Sequence, residues 1–491
     1  MEQKKFYITT AIPYVNAPPH IGHALEFIQA DVLARYHRLK GEDVFFLTGT
    51  DEHGVKIVQA AENAGKTPQE WADKNAAEFK KLIEALSISN DDFIRTSDQK
   101  GHWPGAQKLW RELEKSGDIY KKKYRGFYCV GHEAFITEKD LTNGKCRDHK
   151  KEPEVIEEEN YFFRLSKYSR EIESRISAQG GSASGGKNNE LRIVPETRKN
   201  EILSLLKEGL EDVSFSRPRK DLSWGVPVPG DETHTMYVWC DALSNYITAL
   251  GYGSDQNVDI SKFQRWWPAD VHVIGKDILR FHVAIWPGML LSAGLPLPKT
   301  IFVHGFITVG GEKMSKTVGN VIDPFEVVKK YGTDALRYYL LREIPPTGDG
   351  DFTYEKFEER YNGDLAKGLG NFVSRVLTLA EKSDVKIESK LFTEIIKDVE
   401  SNADKFIKDF KFNDALSAIW QLVSAGDKYI DDKKPWTLDA NSQEYKNIIS
   451  ALLSLVFEIG RLVEPFLPET SEKISKAVED KKSVILFPRL S

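Results

Sequence analysis

At 491 residues the chain exceeds what one hydrophobic core usually organises, so about two to four domains are expected. A composition of 41% hydrophobic and 29% charged residues excludes wholesale disorder. The net charge of −6, from 68 basic and 74 acidic residues, excludes a general nucleic-acid coat while allowing a local basic surface. Three cysteines, Cys129, Cys146 and Cys240, exclude a disulfide framework and point to a reducing compartment.

The N-terminus runs directly into an apolar segment, with no signal-peptide core and no Arg/Ser-rich transit stretch. A cytoplasmic location without a membrane span is expected. Phe6 to Thr10 reads as a strand and is followed by a Pro-rich turn, Pro13 to Pro19. Apolar residues at Ile21, Leu25, Ile28, Val32, Leu33 and Tyr36 then predict a helix that stops near Gly41. Val44 to Leu47 reads as a buried strand, and Val55 to Ala64 opens another helix. This β-α-β order predicts an α/β fold, a Rossmann-type parallel sheet with ligands at the strands' C-terminal ends.

The pattern breaks between residues 120 and 224, where short strands, two Cys/His pairs and the charged run Lys150 to Glu159 predict an inserted connective module. Inside it, Gln179 to Gly186 has linker composition. Strand-like runs at Met236 to Trp239, Val271 to Ile274 and Thr300 to Val303 are expected to return to the same sheet. The expected organisation is a sheet domain split over 1–119 and 225–320, the insert at 120–224, a linking segment at 321–360 and an all-α bundle at 361–491. Ile448 to Ile459, interrupted by Ser450, Ser454 and Glu458, suits a bundle helix better than a membrane span, and Ser483 to Leu486 reads as a short final strand.

Two short segments carry the chemistry. His20-Ile21-Gly22-His23 lies where the Pro-rich loop meets the first helix, and a helix start offers N–H groups and positive potential suited to phosphate. Gly22 removes a side chain there, and the two imidazoles add donors on one face. Neither GxGxxG nor a Walker sequence occupies the turn. Lys313-Met314-Ser315-Lys316-Thr317 follows Gly310-Gly311; two lysines beside glycine can close over a polyphosphate.

In this order, about 290 residues apart, these segments resemble the HIGH and KMSKS signatures of class I aminoacyl-tRNA synthetases, with Thr317 in place of the final serine. Ala11-Ile12-Pro13-Tyr14-Val15-Asn16, Thr50-Asp51-Glu52-His53-Gly54, Tyr237 to Ala242 and His272 to Ile278 extend the resemblance to the methionyl-tRNA synthetase family over nearly the whole chain, although Leu243 stands where many relatives carry proline. The resemblance implies ATP-dependent activation of methionine, with Mg2+, and transfer to tRNA(Met). It gives His20 and His23 the transition-state phosphate, and Lys313 and Lys316 the departing pyrophosphate. Gly22, Gly275 and Asp277 join the ATP site. Ala11, Ile12, Tyr14, Asp51, Trp239, Ala242, Tyr246, Ile278 and His282 form the methionine site, with Asp51 on the ammonium. Taken singly, Trp239, Tyr246 and Ile278 suit an ordinary core equally well.

By the same resemblance, Asn371, Arg375 and Trp436 read the anticodon. Cys129-x-x-His132 and Cys146-x-x-His149 have the paired spacing of a structural zinc site, though His132 stands where a cysteine is expected; the pairs form a Cys2His2 site or are the remnant of one. Roughly a hundred residues of insert are too few for the hydrolytic editing domain that branched-chain substrates demand, which disfavours valine, isoleucine and leucine. Other class I synthetases (cysteine or leucine), a tRNA-binding protein with decayed catalysis, and a nucleotidyltransferase remain the competing readings. With no further module visible after the bundle, a monomer is expected.

Overall fold

The computed structural model describes residues 3–132, 134–136, 138–148, 150–177, 190–254, 260–314 and 319–490. Lys316, His149 and the Gly/Ser-rich segment 179–186 lie outside the described residues. The chain divides into two compact units. One comprises Met1–Pro18, Gly41–Lys81 and Asn90–Val303, the other Pro19–Lys40, Leu82–Ser89 and His304–Ser491.

The first unit is built on a six-stranded sheet in the order Asp92–Arg95, Asp43–Thr50, Lys5–Thr10, Val271–Gly275, Thr300–His304, Arg192–Val194. Lys5–Thr10 pairs in parallel with both neighbours, Phe6 opposite Val44 and Ile8 opposite Val271. Five of its six residues are buried, as expected of a strand covered on both faces. The strand order reverses direction between Lys5–Thr10 and Val271–Gly275, which is where an open α/β sheet binds its ligand. Ala11 leaves the first of these strands and is tied to the second by its N–H, which donates to Val273 O at 2.9 Å.

The insert folds as a separate four-stranded sheet ordered Val213–Ser214, Glu154–Phe163, Ile119–Cys129, Ala134–Ile136. Its long antiparallel pair sets Lys123 opposite Glu159 and Arg125 opposite Glu157, so the charged run is one half of a cross-strand charge ladder. The expectation for Met236 to Trp239 is corrected. Asp231–Met236 pairs antiparallel with Ser216–Pro218 and Pro227–Val228 in a three-stranded sheet of its own, and Val238–Leu243 is a helix. A four-residue apolar run carries no period that separates a strand from a buried helical turn.

The second unit contains the first helix, Ile21–Leu39, and the α-bundle: Asn371–Ala380, Thr393–Lys408, Phe412–Lys433, Gln443–Val463 and Pro468–Asp480. Gly426 permits the tightest approach in the bundle, because a Cβ there would collide with the Phe372 ring. Arg337 is wholly buried. It donates to the carbonyls of Leu86, Pro465 and Phe466 and pairs with Asp31 of the first helix at 2.8 Å. Asp31 also holds Arg35 and the Ser89 hydroxyl, so this buried ion carries a full set of partners. Ser483 to Leu486 is not a strand. Among the described residues the bundle offers it no strand partner; Ser483 N–H donates to Glu381 Oε1 and Leu486 is buried. Among the described residues no helix is long and apolar enough to cross a membrane.

Candidate active site

In the second unit, the first helix begins with a reciprocal cap made of imidazoles. His20, in extended conformation, accepts the Gly22 N–H on Nδ1 at 3.1 Å, while its own N–H donates to His23 Nδ1 at 3.1 Å. A ring nitrogen that accepts carries no proton, so both rings hold theirs on Nε2. The rings stack at 3.9 Å. Burial, then the neighbouring His20 and His304, hold the His23 pKa well below the ordinary histidine value. The site therefore offers neutral Nε2–H donors.

One expectation about this helix start changes. The Ile21 N–H donates to Ile322 O, the Gly22 N–H to His20 and the His23 N–H to His20 O, so the first-turn donors expected for phosphate are already engaged.

The lysine loop is rooted beside this cap. A Cβ built on Gly22 would meet Met314 Cε at 3.8 Å. Glu312–Lys313 forms a hairpin with Ile307–Val309, and Asp351 Oδ1 accepts from both Gly311 N–H and Thr308 Oγ1, at 2.8 and 2.7 Å. Asp351 thus pins the Gly310-Gly311 turn, where both glycines have positive φ. Lys313 is exposed, with Nζ 5.1 Å from the Phe306 ring centroid.

In the first unit, the expected methionine-site residues are brought together at the sheet's switch point. Tyr14 and Asp51 form an isolated parallel bridge, which lays Ala11 to Tyr14 along the end of the Asp43–Thr50 strand. Asp51 is buried. Trp239 stacks on Phe281 at 3.8 Å and meets His282 edge-on at 6.1 Å. Tyr246 OH lies 2.7 Å from His282 Nε2, and His282 Nδ1 lies 3.0 Å from Ile278 O. A carbonyl can only accept, so Nδ1 carries the proton and the tyrosine hydroxyl donates to Nε2. Burial pushes the His282 pKa down to about 4, although the hydrogen bond to Ile278 O opposes the fall. Ala242 is buried on the same short helix as Trp239, Val238–Leu243. Gly275 ends the Val271–Gly275 strand, and Asp277 is exposed one residue before Ile278.

Elsewhere, Cys129, His132 and Cys146 converge, with their ligand atoms all within 4.8 Å of one another. In the bundle, Arg375 is committed to Asp427 and Asp431, at 3.1 and 2.8 Å. Asn371 begins that helix, Asn371–Ala380. Trp436 follows the left-handed turn at Lys434 and is 53% exposed, unusual for an indole with no surface role.

The family described as tRNA synthetases class I (M) matches residues 6–146 and 138–377, and the anticodon-binding domain of tRNA ligases matches residues 390–490. The methionine–tRNA ligase of Brucella suis is 44% identical over 96% of this chain and 92% of its own length. That of Thermotoga maritima is 42% identical over 98% and 76%. The chain belongs to the class I tRNA synthetase family of methionine type. Among solved structures, methionyl-tRNA synthetase of Mycobacterium tuberculosis in complex with methionyl-adenylate is 39% identical, with a TM-score of 0.88 over 96% of this chain and 93% of that one.

Several residues that shape the site were not read from the sequence. Phe281 backs Trp239, and Asp351 roots the lysine loop. His304 lies 2.9 Å from Glu26, one helical turn beyond His23. A buried trio of His53, Asp241 and His102 lies behind Asp51 and Trp239 in the chain. His53 and Asp241 lie inside segments that carry the resemblance, but those segments gave them no role, because their partners are distant in sequence.

A depressed pKa means that the neutral His282 survives well below the pH at which a free imidazole protonates. A histidine-ring NMR titration should place its midpoint near 4, with the Tyr246 bond intact until then, whereas a midpoint at the ordinary 6.5 would contradict the burial of the ring in a water-excluded pocket.

Proposed function

We infer that the protein is a methionine–tRNA ligase, which activates methionine with ATP and charges tRNA. The observation that carries the reading lies within the second unit: the imidazole-capped helix start and the lysine loop, two segments nearly three hundred residues apart in the chain, meet at Gly22 and Met314.

The methionine carboxylate attacks the α-phosphorus of ATP. The bond to the bridging oxygen breaks, pyrophosphate leaves with that electron pair, and methionyl-adenylate remains. His20 and His23 donate Nε2–H to the oxygens on which charge develops. Lys313 and Lys316 neutralise the pyrophosphate, and Mg2+ accompanies the triphosphate. Gly22, Gly275 and Asp277 hold the nucleotide. Little covalent chemistry is asked of the protein, so positioning and charge stabilisation supply the acceleration. The terminal adenosine 2′-hydroxyl of the tRNA then attacks the carbonyl carbon, and AMP leaves.

Asp51 takes the substrate ammonium. Trp239, Ala242, Tyr246, Ile278 and His282, with Ala11, Ile12 and Tyr14, enclose the side chain. The hydrogen-bond order gives this pocket a definite character. Tyr246 spends its hydroxyl proton on His282, so the thioether meets aromatic edges and an oxygen lone pair rather than a committed donor. In the bundle, Trp436 stacks an unpaired anticodon base, and Asn371 and Arg375 contact base edges, Arg375 being oriented by its two carboxylates. The protein acts as a monomer in the cytoplasm, on tRNA(Met).

The knuckle residues fit a structural zinc ion. Two buried cysteines and one imidazole converge, and His132 Nε2 lies 3.0 Å from Asp148 Oδ2, which leaves Nδ1, 3.6 Å from Cys146 Sγ, as the nitrogen facing the thiols. Cys129, His132 and Cys146 would hold it, with His149 as the fourth ligand, and the ion would cross-link the insert rather than take part in the reaction. Metal analysis of Cys146→Ser should show zinc lost; an unchanged content would remove Cys146 from the ligand set.

Methionine-dependent pyrophosphate exchange tests the function as a whole. Lys316→Ala should lower it by about 100-fold while leaving tRNA affinity intact. Trp436→Ala should weaken tRNA binding by about 1–3 kcal/mol and leave exchange unchanged. Exchange supported by leucine or cysteine and not by methionine would overturn the assignment.

A further inference from the structure

One buried cluster of polar side chains has no direct role in the chemistry above. His53 Nδ1 lies 2.6 Å from Asp241 Oδ2, and His102 Nε2 lies 2.6 Å from Asp241 Oδ1. His102 Nδ1 continues to Thr248 Oγ1 at 2.8 Å. The three side chains of His53, Asp241 and His102 are at most 1% exposed, so water cannot stand in for any of these bonds.

Each member sits on a segment that carries a methionine-site residue or anchors one. His53 is two residues from Asp51. Asp241 lies between Trp239 and Ala242 on the helix Val238–Leu243. His102 directly precedes the helix Trp103–Lys115 and reaches Thr248 on the turn Asn245–Thr248, which also carries Tyr246. On the near side of His53, Glu52 is already immobile. Its carboxylate takes Arg95 in a bidentate pair and the Thr50 and Ser97 hydroxyls, and its N–H donates to Thr96 Oγ1. His53, the next residue, is held through its hydrogen bond to Asp241.

We propose that Asp241 is a positioning residue for methionine recognition, its carboxylate clamped between His53 and His102 so that the Asp51 carboxylate and the Trp239–Ala242–Tyr246 wall are held in one geometry. The proposal rests on the assignment of Asp51, Trp239, Ala242 and Tyr246 to methionine. Stability alone does not explain the trio. Burying a carboxylate between two imidazoles is costly relative to an apolar filling of the same volume, and such a group gains most where it fixes a unique arrangement. An amino acid is recognised at two ends at once, by charge at the ammonium and by shape at the side chain, and the trio bonds the segments bearing those two ends to each other. The pair of acceptor oxygens is what makes the link. An imidazole N–H on either side of one carboxylate admits only one rotamer of Asp241, and that rotamer sets the rotation of the helix carrying Trp239.

The test measures methionine affinity of the intact enzyme by calorimetry without ATP, and the KM for ATP in pyrophosphate exchange. Asp241→Asn keeps the shape and removes one acceptor; it should weaken methionine binding by about tenfold or more while the ATP KM stays within about twofold. His53→Asn and His102→Gln retain an N–H at the bonding position and should recover methionine affinity to within about threefold of wild type. His53→Leu, which offers no donor, should behave as Asp241→Asn does and carries the comparison should that variant fail to fold. Wild-type methionine affinity in Asp241→Asn, or equal weakening of methionine and ATP, would overturn the proposal. Asp51→Asn separates the two levels. If it binds methionine normally, the site assignment itself fails; if it loses methionine while Asp241→Asn and His53→Leu do not, the positioning role alone fails.

Discussion

The first helix is capped by the imidazoles of His20 and His23, and the nucleotide chemistry proposed for this site depends on that constraint. An N-cap side chain normally accepts a backbone N–H and does nothing more. Here His20 and His23 each spend Nδ1 on a main-chain N–H, which fixes both tautomers and stacks the rings. The first-turn N–H groups are thereby satisfied within the protein, and each ring keeps its proton on Nε2. Gly22 keeps the space between them and Met314 clear, since any side chain there would press on the His20 ring, and Asp351 holds the turn from which the lysine loop departs. Preorganised donors aimed where charge develops need no rearrangement during the reaction.

The first unit solves a different problem by similar means. A thioether has almost no polar handle, so the pocket must be shaped and kept neutral. Burial holds both His272 and His282 well below the ordinary imidazole range, and Tyr246 lies against both rings, 4.2 Å from His272 and hydrogen-bonded to His282. The one charge expected to meet substrate, Asp51, sits at a strand end, and the two residues after it are held in turn, Glu52 by Arg95 and His53 by Asp241. The second unit links its own parts just as firmly: Arg337 joins the first helix, through Asp31, to the Pro465-Phe466 turn of the bundle.

Much of this was legible in the chain. The β-α-β order, the insert and the bundle follow from apolar periodicity and composition, and the two signature segments from residue identity. His20 and His23, three apart at a helix start, have the spacing of a capping box, so even their geometry is local. What was not legible depends on contacts across the chain. Asp241 finds its imidazoles 188 and 139 residues away, and although it lies in a segment that carries the resemblance, nothing near it in sequence gives it a role of its own. Asp351 pins a turn forty residues upstream. Arg375 reads as an exposed face residue until Asp427 and Asp431 of another helix meet it. Met236 to Trp239 misled because a short apolar run fits strand and helix alike; Ser483 to Leu486 did so because a strand needs a partner that the bundle does not supply.

The measurement that bears most directly on the imidazole cap is methionine-dependent pyrophosphate exchange by His20→Asn. The asparagine carbonyl oxygen replaces Nδ1 as acceptor for the Gly22 N–H, so the helix start persists, while the outward N–H at the Nε2 position is lost. The account predicts an unchanged thermal midpoint with exchange reduced by about 100-fold. Wild-type exchange in that variant would show that the imidazole serves only to cap the helix, and would contradict the account.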